Sequence, residues 1–269
     1  VNPSDFELVL SGVRKDFGHR NRRFTAVQPL DLRVDQDSRI GVIGESGSGK
    51  STLARMIVGL ERPTDGVITF DGRPVPEWLA MRSSRLEYRR YVQYVAQDTS
   101  SSFDPRKTLY DAVSAPLRFL WGITDPAQLR TRLHAIAEEL SLDPRLYDRH
   151  PHQVSGGQRQ RFALARSLVV EPRLLICDEV VSALDVSVQG TVLNLIKSHI
   201  TRHGMGLLFV AHGLPAVAFI SSELLVMKEG AVVETGPVGR IVSAPEHPYT
   251  RELLSAHAGP DSARVEVAR

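Results

Sequence analysis

The chain has 269 residues, 42% apolar and 24% charged, a balance that supports a packed core in one large domain or two small ones. Its formal net charge of +2 gives no overall nucleic-acid signal, although Arg20, Arg22 and Arg23 make a local basic patch. The single cysteine, Cys177, excludes an intrachain disulfide, a cysteine zinc site and a cysteine-ligated iron–sulfur cluster, and fits a reducing compartment.

The opening VNPSDFELVL lacks the charged region, apolar core and cleavage site of a signal peptide, and it lacks a methionine, so a processed or excised chain is expected. ELVLSGV, LDLRV and RIGVIG read as strands, and LARMIVGL, just after a glycine-rich loop, has helical spacing. GVITFDG is a short apolar run bounded by glycines, DGRP is a turn, and YVQYVAQ at 91–97 is a strand rich in β-branched and aromatic residues. From about Asp98 the texture becomes helical: TSSSFDP is a serine-rich loop and LYDAVSAPLRFLW a helix. DPAQ, from Asp125, supplies an N-cap, a proline at the first helical position and a glutamine at the third, which starts the helix AQLRTRLHAIAEELSL.

Strand PRLLICDE, helix VSVQGTVLNLIKSHITRHG, strand MGLLFVAH, a short helix, strand ELLVMKEG and hairpin AVVETG complete the chain. Strands alternating with helices predict a mainly parallel sheet covered on both faces. The most apolar stretch, GLLFVAHGLPAVAFI, is broken by His212 and Pro215 and falls short of the ~18 residues of a membrane helix, so any membrane link is expected to run through a partner.

GESGSGKS satisfies G-x-x-x-x-G-K-[ST] between an apolar strand and a helix. Gly44, Gly47 and Gly49 free the backbone to turn its N–H groups toward phosphates at a helix N-terminus. Lys50 then reaches the β- and γ-phosphates, and the Ser51 hydroxyl reaches Mg²⁺. LLICDE ends a buried strand in two carboxylates: Asp178 is placed to hold Mg²⁺, and Glu179 to orient or deprotonate an attacking water. A second glycine turn lies in HQVSGGQRQR. Ser155 and Gln158 there form an S-x-x-Q capping box. That box does not explain Gly156 and Gly157, each of which weakens a helix by about 1 kcal/mol relative to alanine. Something must approach this backbone closely.

GESGSGKST, VSGGQ, LLICDE, SALD at Ser182 to Asp185 and the histidine of VAH at His212, in this order, resemble the nucleotide-binding subunit of an ABC transporter over almost the whole chain. VAQDTSSSFDPRKTL, SALDVSVQ and EHPYTRELL are similar to the branch that imports oligopeptides, dipeptides or nickel. The resemblance implies a P-loop NTPase fold of α/β class: a mainly parallel core sheet, an N-terminal antiparallel β subdomain and an inserted helical subdomain. One domain over 1–269 is expected, divided into 1–97, 98–170, 171–245 and a tail at 246–269.

The resemblance further implies that Gly44, Glu45, Ser46, Gly47, Ser48, Gly49, Lys50, Ser51 and Thr52 bind ATP, with Phe17, or Phe24 behind it, stacked on adenine. It implies that Ser155, Gly156, Gly157 and Gln158 touch the ATP of a second, head-to-tail ABC ATPase subunit and that Asp185 crosses the dimer interface. Gln97 would contact Mg²⁺ or the attacking water, and His212 would hold the γ-phosphate and complete the Glu179 site. Two permease subunits in the membrane, an extracytoplasmic solute-binding protein acting through them, and a peripheral position on the cytoplasmic face of the inner membrane are implied, with no nucleic-acid partner.

Two residues depart from the pattern. Val180 stands where relatives carry proline, and Gly213 stands where they carry aspartate, a change that loosens the support of His212. The alternatives are a soluble ABC-type ATPase acting on nucleic acid or the ribosome, and a regulatory cassette that binds ATP without turnover. The first normally carries a coiled-coil insertion, zinc cysteines or tandem cassettes, none of which is present.

Overall fold

The structure, a computed structural model, describes residues 5–18, 23–97, 102–182 and 184–257. Arg20, Arg22, the start of the serine-rich loop, Ala183 of SALD and the tail beyond 257 lie outside the described residues.

Two sheets form the frame. The first is antiparallel and joins β1 (Glu7–Phe17), β2 (Phe24–Asp35), β4 (Asp65–Phe70) and β5 (Arg73–Pro74) in the order β2-β1-β4-β5. The second contains β3 (Arg39–Ile43), β6 (Val92–Val95), β7 (Leu174–Asp178), β8 (Gly206–Val210), β9 (Glu223–Lys228) and β10 (Ala231–Pro237), in the order β10-β9-β3-β8-β7-β6. Every pairing in it is parallel except the β9–β10 hairpin at one edge.

The central strands read as continuous apolar runs because both faces are covered. Leu174 and Ile176 of β7 pack with the antiparallel sheet and α1 (Lys50–Ile57). Leu175 and Cys177, pointing the other way by the two-residue period of a strand, pack with the helical layer. Leu208 and Val210 of β8 take the first side, and Leu207 and Phe209 the second.

The N-terminal strands run further than the apolar pattern indicates. Beyond Val13 the alternation is lost to Arg14, Lys15 and Asp16, and just before Leu30 to Gln28 and Pro29, yet ladder pairing continues until Phe17 faces Phe24. Two short helices, α2 (Val75–Ala80) and α3 (Arg82–Tyr91), follow β5. They are held by tertiary anchors: Trp78 Nε1 donates to the Phe70 carbonyl at 3.0 Å, and the buried Tyr88 hydroxyl donates to the Ile57 carbonyl.

The helical insert comprises α4 (Leu109–Leu120), α5 (Pro126–Glu139) and α6 (Gly156–Leu168). Asp125 caps α5 by accepting from the N–H groups of Ala127 and Gln128 at 3.2 and 3.3 Å, with Pro126 at the first position. After β7 come α7 (Val186–His203) and α8 (Leu214–Ile220), and after β10 come α9 (Val238–Ser243) and α10 (Pro248–His257).

Candidate functional site

Between β3 and α1 the chain must reverse within a few residues, and the glycines allow this in two ways. Gly44 (φ 151°) and Gly49 (φ 102°) are packed against other strands. A Cβ on Gly44 would lie 2.1 Å from the Met227 carbonyl oxygen, and one on Gly49 2.3 Å from that of Ala26. Gly47 (φ 82°) has open space around it and is needed for its conformation alone.

Lys50 opens α1 and is buried. Its ammonium donates to the carbonyls of Gly44 and Glu45, both at 2.8 Å, and to Ser48 Oγ at 3.3 Å. Burial pulls the Lys50 pKa down, while Glu179, Asp178 and Glu45 oppose the fall. The adjacent Ser51 hydroxyl donates to Asp178 Oδ1 at 3.0 Å, and the Tyr94 hydroxyl to Oδ2 at 2.7 Å. Burial and the hydrogen-bonded Asp178 carboxylate raise the Tyr94 phenol well above its usual value, which keeps it a donor.

Glu179 follows β7 and adopts φ 54°, the left-handed region that costs a non-glycine residue about 1 kcal/mol or more. Its amide donates to the Val210 carbonyl at 2.8 Å, and the Ser182 hydroxyl donates back to the Glu179 carbonyl at 2.9 Å, closing a tight turn. The turn aims the carboxylate at β8. Oε1 lies 2.6 Å from His212 Nε2, while Oε2 is buried with no hydrogen-bond partner among the described residues. The two departures are therefore accommodated: Val180 is a buried core residue, and His212 reaches Glu179 with Gly213 beside it.

A cleft of about 340 Å³ is lined by Phe17, Phe24, Lys50, Gln97, Glu179 and His212. Ser46, Gly47, Gly49, Ser51 and Thr52 line the same cleft. Phe17 and Phe24 stack with ring centroids 5.8 Å apart, and Phe24 is exposed. Ser155, Gly156, Gly157, Gln158 and Asp185 do not line it.

Ser155 caps α6 in the reciprocal box its spacing predicts: the Gln158 amide donates to Ser155 Oγ at 3.2 Å, and the Ser155 amide to Gln158 Oε1 at 2.9 Å. A Cβ on Gly157 would come within 2.8 Å of Val188 Cγ1 in α7, so part of its need is internal. Gly156 is different. It is exposed, has no positive φ, and a Cβ there would meet nothing within 4 Å. Asp185 sits exposed at the N-cap of α7, with no side-chain cap bond.

Two tyrosines beside these residues carry no local signal of their role. Tyr94 lies in YVQYVAQ, where it reads as an ordinary strand aromatic; only the β6–β7 pairing brings it to Asp178. Tyr249, within EHPYTRELL on α10, accepts a hydrogen bond from the Glu45 amide at 2.9 Å and so fastens the tail to the glycine loop. The separation of 204 residues between the partners hides this contact from any local pattern.

A parallel sheet ending in a glycine-rich strand-to-helix loop, with paired carboxylates after a neighbouring strand, defines a P-loop nucleoside triphosphatase. The match of the ABC transporter family to residues 27–182 places this chain in that family, as an ATP-binding ATPase. The oligopeptide transport ATP-binding protein OppF of Escherichia coli is 42% identical over 241 residues, 88% of this chain and 70% of that protein. OppF of Haemophilus influenzae is 39% identical over 261 residues, 97% of this chain and 78% of its own length. The dimeric post-hydrolysis structure of the ATP-binding cassette MJ0796 bound to ADP and Pi superposes with a TM-score of 0.78 at 26% identity, covering 86% of this chain and 98% of that one. cbiO1 of Clostridium perfringens, part of the ABC transporter complex cbiONQ, shares the fold with a TM-score of 0.77 at 24% identity, covering 89% and 92% of the two chains.

The two classes of loop glycine predict different mutational costs. Gly49→Ala, whose Cβ meets the Ala26 carbonyl, should weaken ATP binding by about tenfold or more, whereas Gly47→Ala, strained only by φ, should weaken it less. Isothermal titration of both variants with ATP reads the difference.

Proposed function

We propose that this chain is the ATP-hydrolysing subunit of an oligopeptide importer, peripheral to the cytoplasmic face of the cell membrane. It works as a head-to-tail pair with a second ABC ATPase, homo- or heterodimeric, against two membrane permease subunits supplied by an extracytoplasmic solute-binding protein. The kinship with OppF proteins supports the peptide class. The observation that carries the catalytic reading is Glu179, with one oxygen held by His212 and the other buried and unpaired, in a cleft shared with Lys50.

Each residue then has a physical task. The loop amides of Gly44 to Thr52 cradle phosphate, and Lys50 exchanges its bonds to the Gly44 and Glu45 carbonyls for phosphate oxygens. Ser51 and Asp178, already 3.0 Å apart, are hard oxygen donors of the kind Mg²⁺ prefers, and Gln97 lines the same cleft. Mg²⁺, when bound, neutralises charge on the β- and γ-phosphates. Tyr94 keeps the Asp178 carboxylate in one orientation. The Glu179 carboxylate orients a water for in-line attack and takes its proton, while His212 fixes the carboxylate and reaches the γ-phosphate. Phe17 and Phe24 offer a stacked aromatic surface to adenine.

Gly156 supports the paired arrangement. A glycine that the chain's own packing does not require, exposed in the first turn of α6, is suited to a phosphate presented by another molecule. Asp185, exposed on α7, is assigned to the same interface.

Three outcomes test this reading. Glu179→Gln should retain ATP binding, lose hydrolysis by about 10²-fold or more, and elute as a dimer in ATP on size-exclusion chromatography; hydrolysis at the parent rate would remove Glu179 as the base. Gly156→Ala should fold and bind ATP as a monomer like the parent but turn over at least about tenfold more slowly, because its methyl group intrudes on the partner's phosphate and on nothing within the chain. Gly157→Asp is the less clean probe, since it also presses on Val188. Affinity purification from solubilised membranes should recover two permease subunits; recovery with ribosomes or DNA would overturn the importer assignment.

A further inference from the structure

Away from the nucleotide cleft, three side chains with metal-ligating chemistry converge where α5 meets α7. His199 and His203 lie one helical turn apart on the same face of α7, with ring centroids separated by 4.2 Å. Glu139 closes α5 and faces both. Its Oε2 takes a short contact from His199 Nδ1 and lies 3.2 Å from His203 Nε2. One potential ligand atom from each of the three residues lies within 4.8 Å of the others.

A tetrahedral ion with bonds of about 2.0–2.1 Å to nitrogen and oxygen separates its ligand atoms by about 3.3 Å. The His203–Glu139 spacing already matches. A pocket of about 70 Å³ opens beside the group, lined also by Leu168, Val169 and Glu171, which leaves room for an ion and a water.

A structural hydrogen-bonded cluster is the ordinary alternative, and it leaves part of the group unsatisfied. His199 is 3% exposed, and its Nε2 has no hydrogen-bond partner among the described residues. His199 Nδ1 already contacts Glu139 Oε2, so Nε2 is the ring nitrogen left without a partner among the described residues. Of the nearby cations, Arg202 Nη1 lies 3.4 Å from Glu139 Oε1, and Arg132, which also lines the pocket, pairs with Glu171 at 3.4 Å. None of the three residues lines the nucleotide cleft.

We infer that Glu139, His199 and His203 form a binding site for a divalent transition-metal ion, Zn²⁺ foremost. Two imidazoles and a carboxylate are the donor set of three-ligand zinc centres, with water completing the coordination, and they are poorly matched to Mg²⁺ or Ca²⁺. A bound ion ties the end of α5 in the helical insert to α7, the helix that begins just after Asp185. This is a cross-link between the two layers that meet there.

Equilibrium dialysis of the full chain against Zn²⁺, without nucleotide, tests the site. Two other histidine sets must be separated from it: Glu179 with His212 in the cleft, and the stacked His150 and His152. The parent should take up one tightly held ion per chain, and His212→Ala and His150→Ala should keep it. His203→Ala and Glu139→Gln should each weaken it by about tenfold or more. His203 is only partly buried, so its replacement spares the core. Co²⁺ gives an independent readout: the intense visible band of tetrahedral Co²⁺ should appear with the parent and be absent with His203→Ala, and Zn²⁺ should raise the melting temperature of the parent but not of that variant. Uptake weaker than about 100 µM, or uptake by His203→Ala equal to the parent's, would overturn the assignment, as would its loss in His212→Ala.

Discussion

Parallel pairing of β3, β8, β7 and β6 is the constraint on which the site depends. Strands that run the same way finish on the same edge of the sheet, and the chain leaves each one there. The glycine loop with Lys50 leaves the end of β3. Asp178 and Glu179 come at the end of β7, His212 just after β8, and Gln97 just after β6. Four segments far apart in sequence are thus brought around one cleft by backbone hydrogen bonds, before any side chain makes a specific contact. The apolar runs of these strands, buried on both faces, make this register costly to change.

Onto that edge the protein sets groups held under tension. Glu179 keeps a left-handed backbone and a carboxylate oxygen with no hydrogen-bond partner among the described residues, while Lys50 is buried against carbonyl dipoles. The strained backbone and unpartnered oxygen of Glu179 cost folding free energy, whereas the burial of Lys50 is offset by its bonds to the Gly44 and Glu45 carbonyls. Asp178 is treated differently. Ser51 and Tyr94 occupy both its oxygens, so its position is set in advance. One carboxylate is thus held through both oxygens, and its neighbour through one.

The glycines divide into those that the fold itself requires and one that it does not. Gly44 and Gly49 are demanded by carbonyls of this same chain, Gly157 in part by Val188, and Gly156 by nothing within 4 Å. Sequence inspection treats all of these as loop glycines. Only the positions of neighbouring strands and helices divide them.

Local patterns suffice for the order of the central elements, the phosphate loop, the carboxylate pair and the Ser155–Gln158 cap, because each rests on periodicity or on spacings of one to about eight residues. They also carry the resemblance to ABC ATPases, through motifs in a set order. They do not specify α2 and α3, whose six and ten residues are too short for periodicity to settle and are fixed by Trp78 and Tyr88 anchored to carbonyls outside their own helices. The reach of β1 and β2 to Phe17 and Phe24 comes from ladder pairing rather than from pattern. Tyr94 on Asp178, Tyr249 on Glu45, and Glu139 against His199 and His203 likewise emerge only from tertiary packing, since each joins residues 60 or more positions apart. Local spacing encodes a turn or a cap, but a contact between distant elements exists only once the sheet has chosen its strand order.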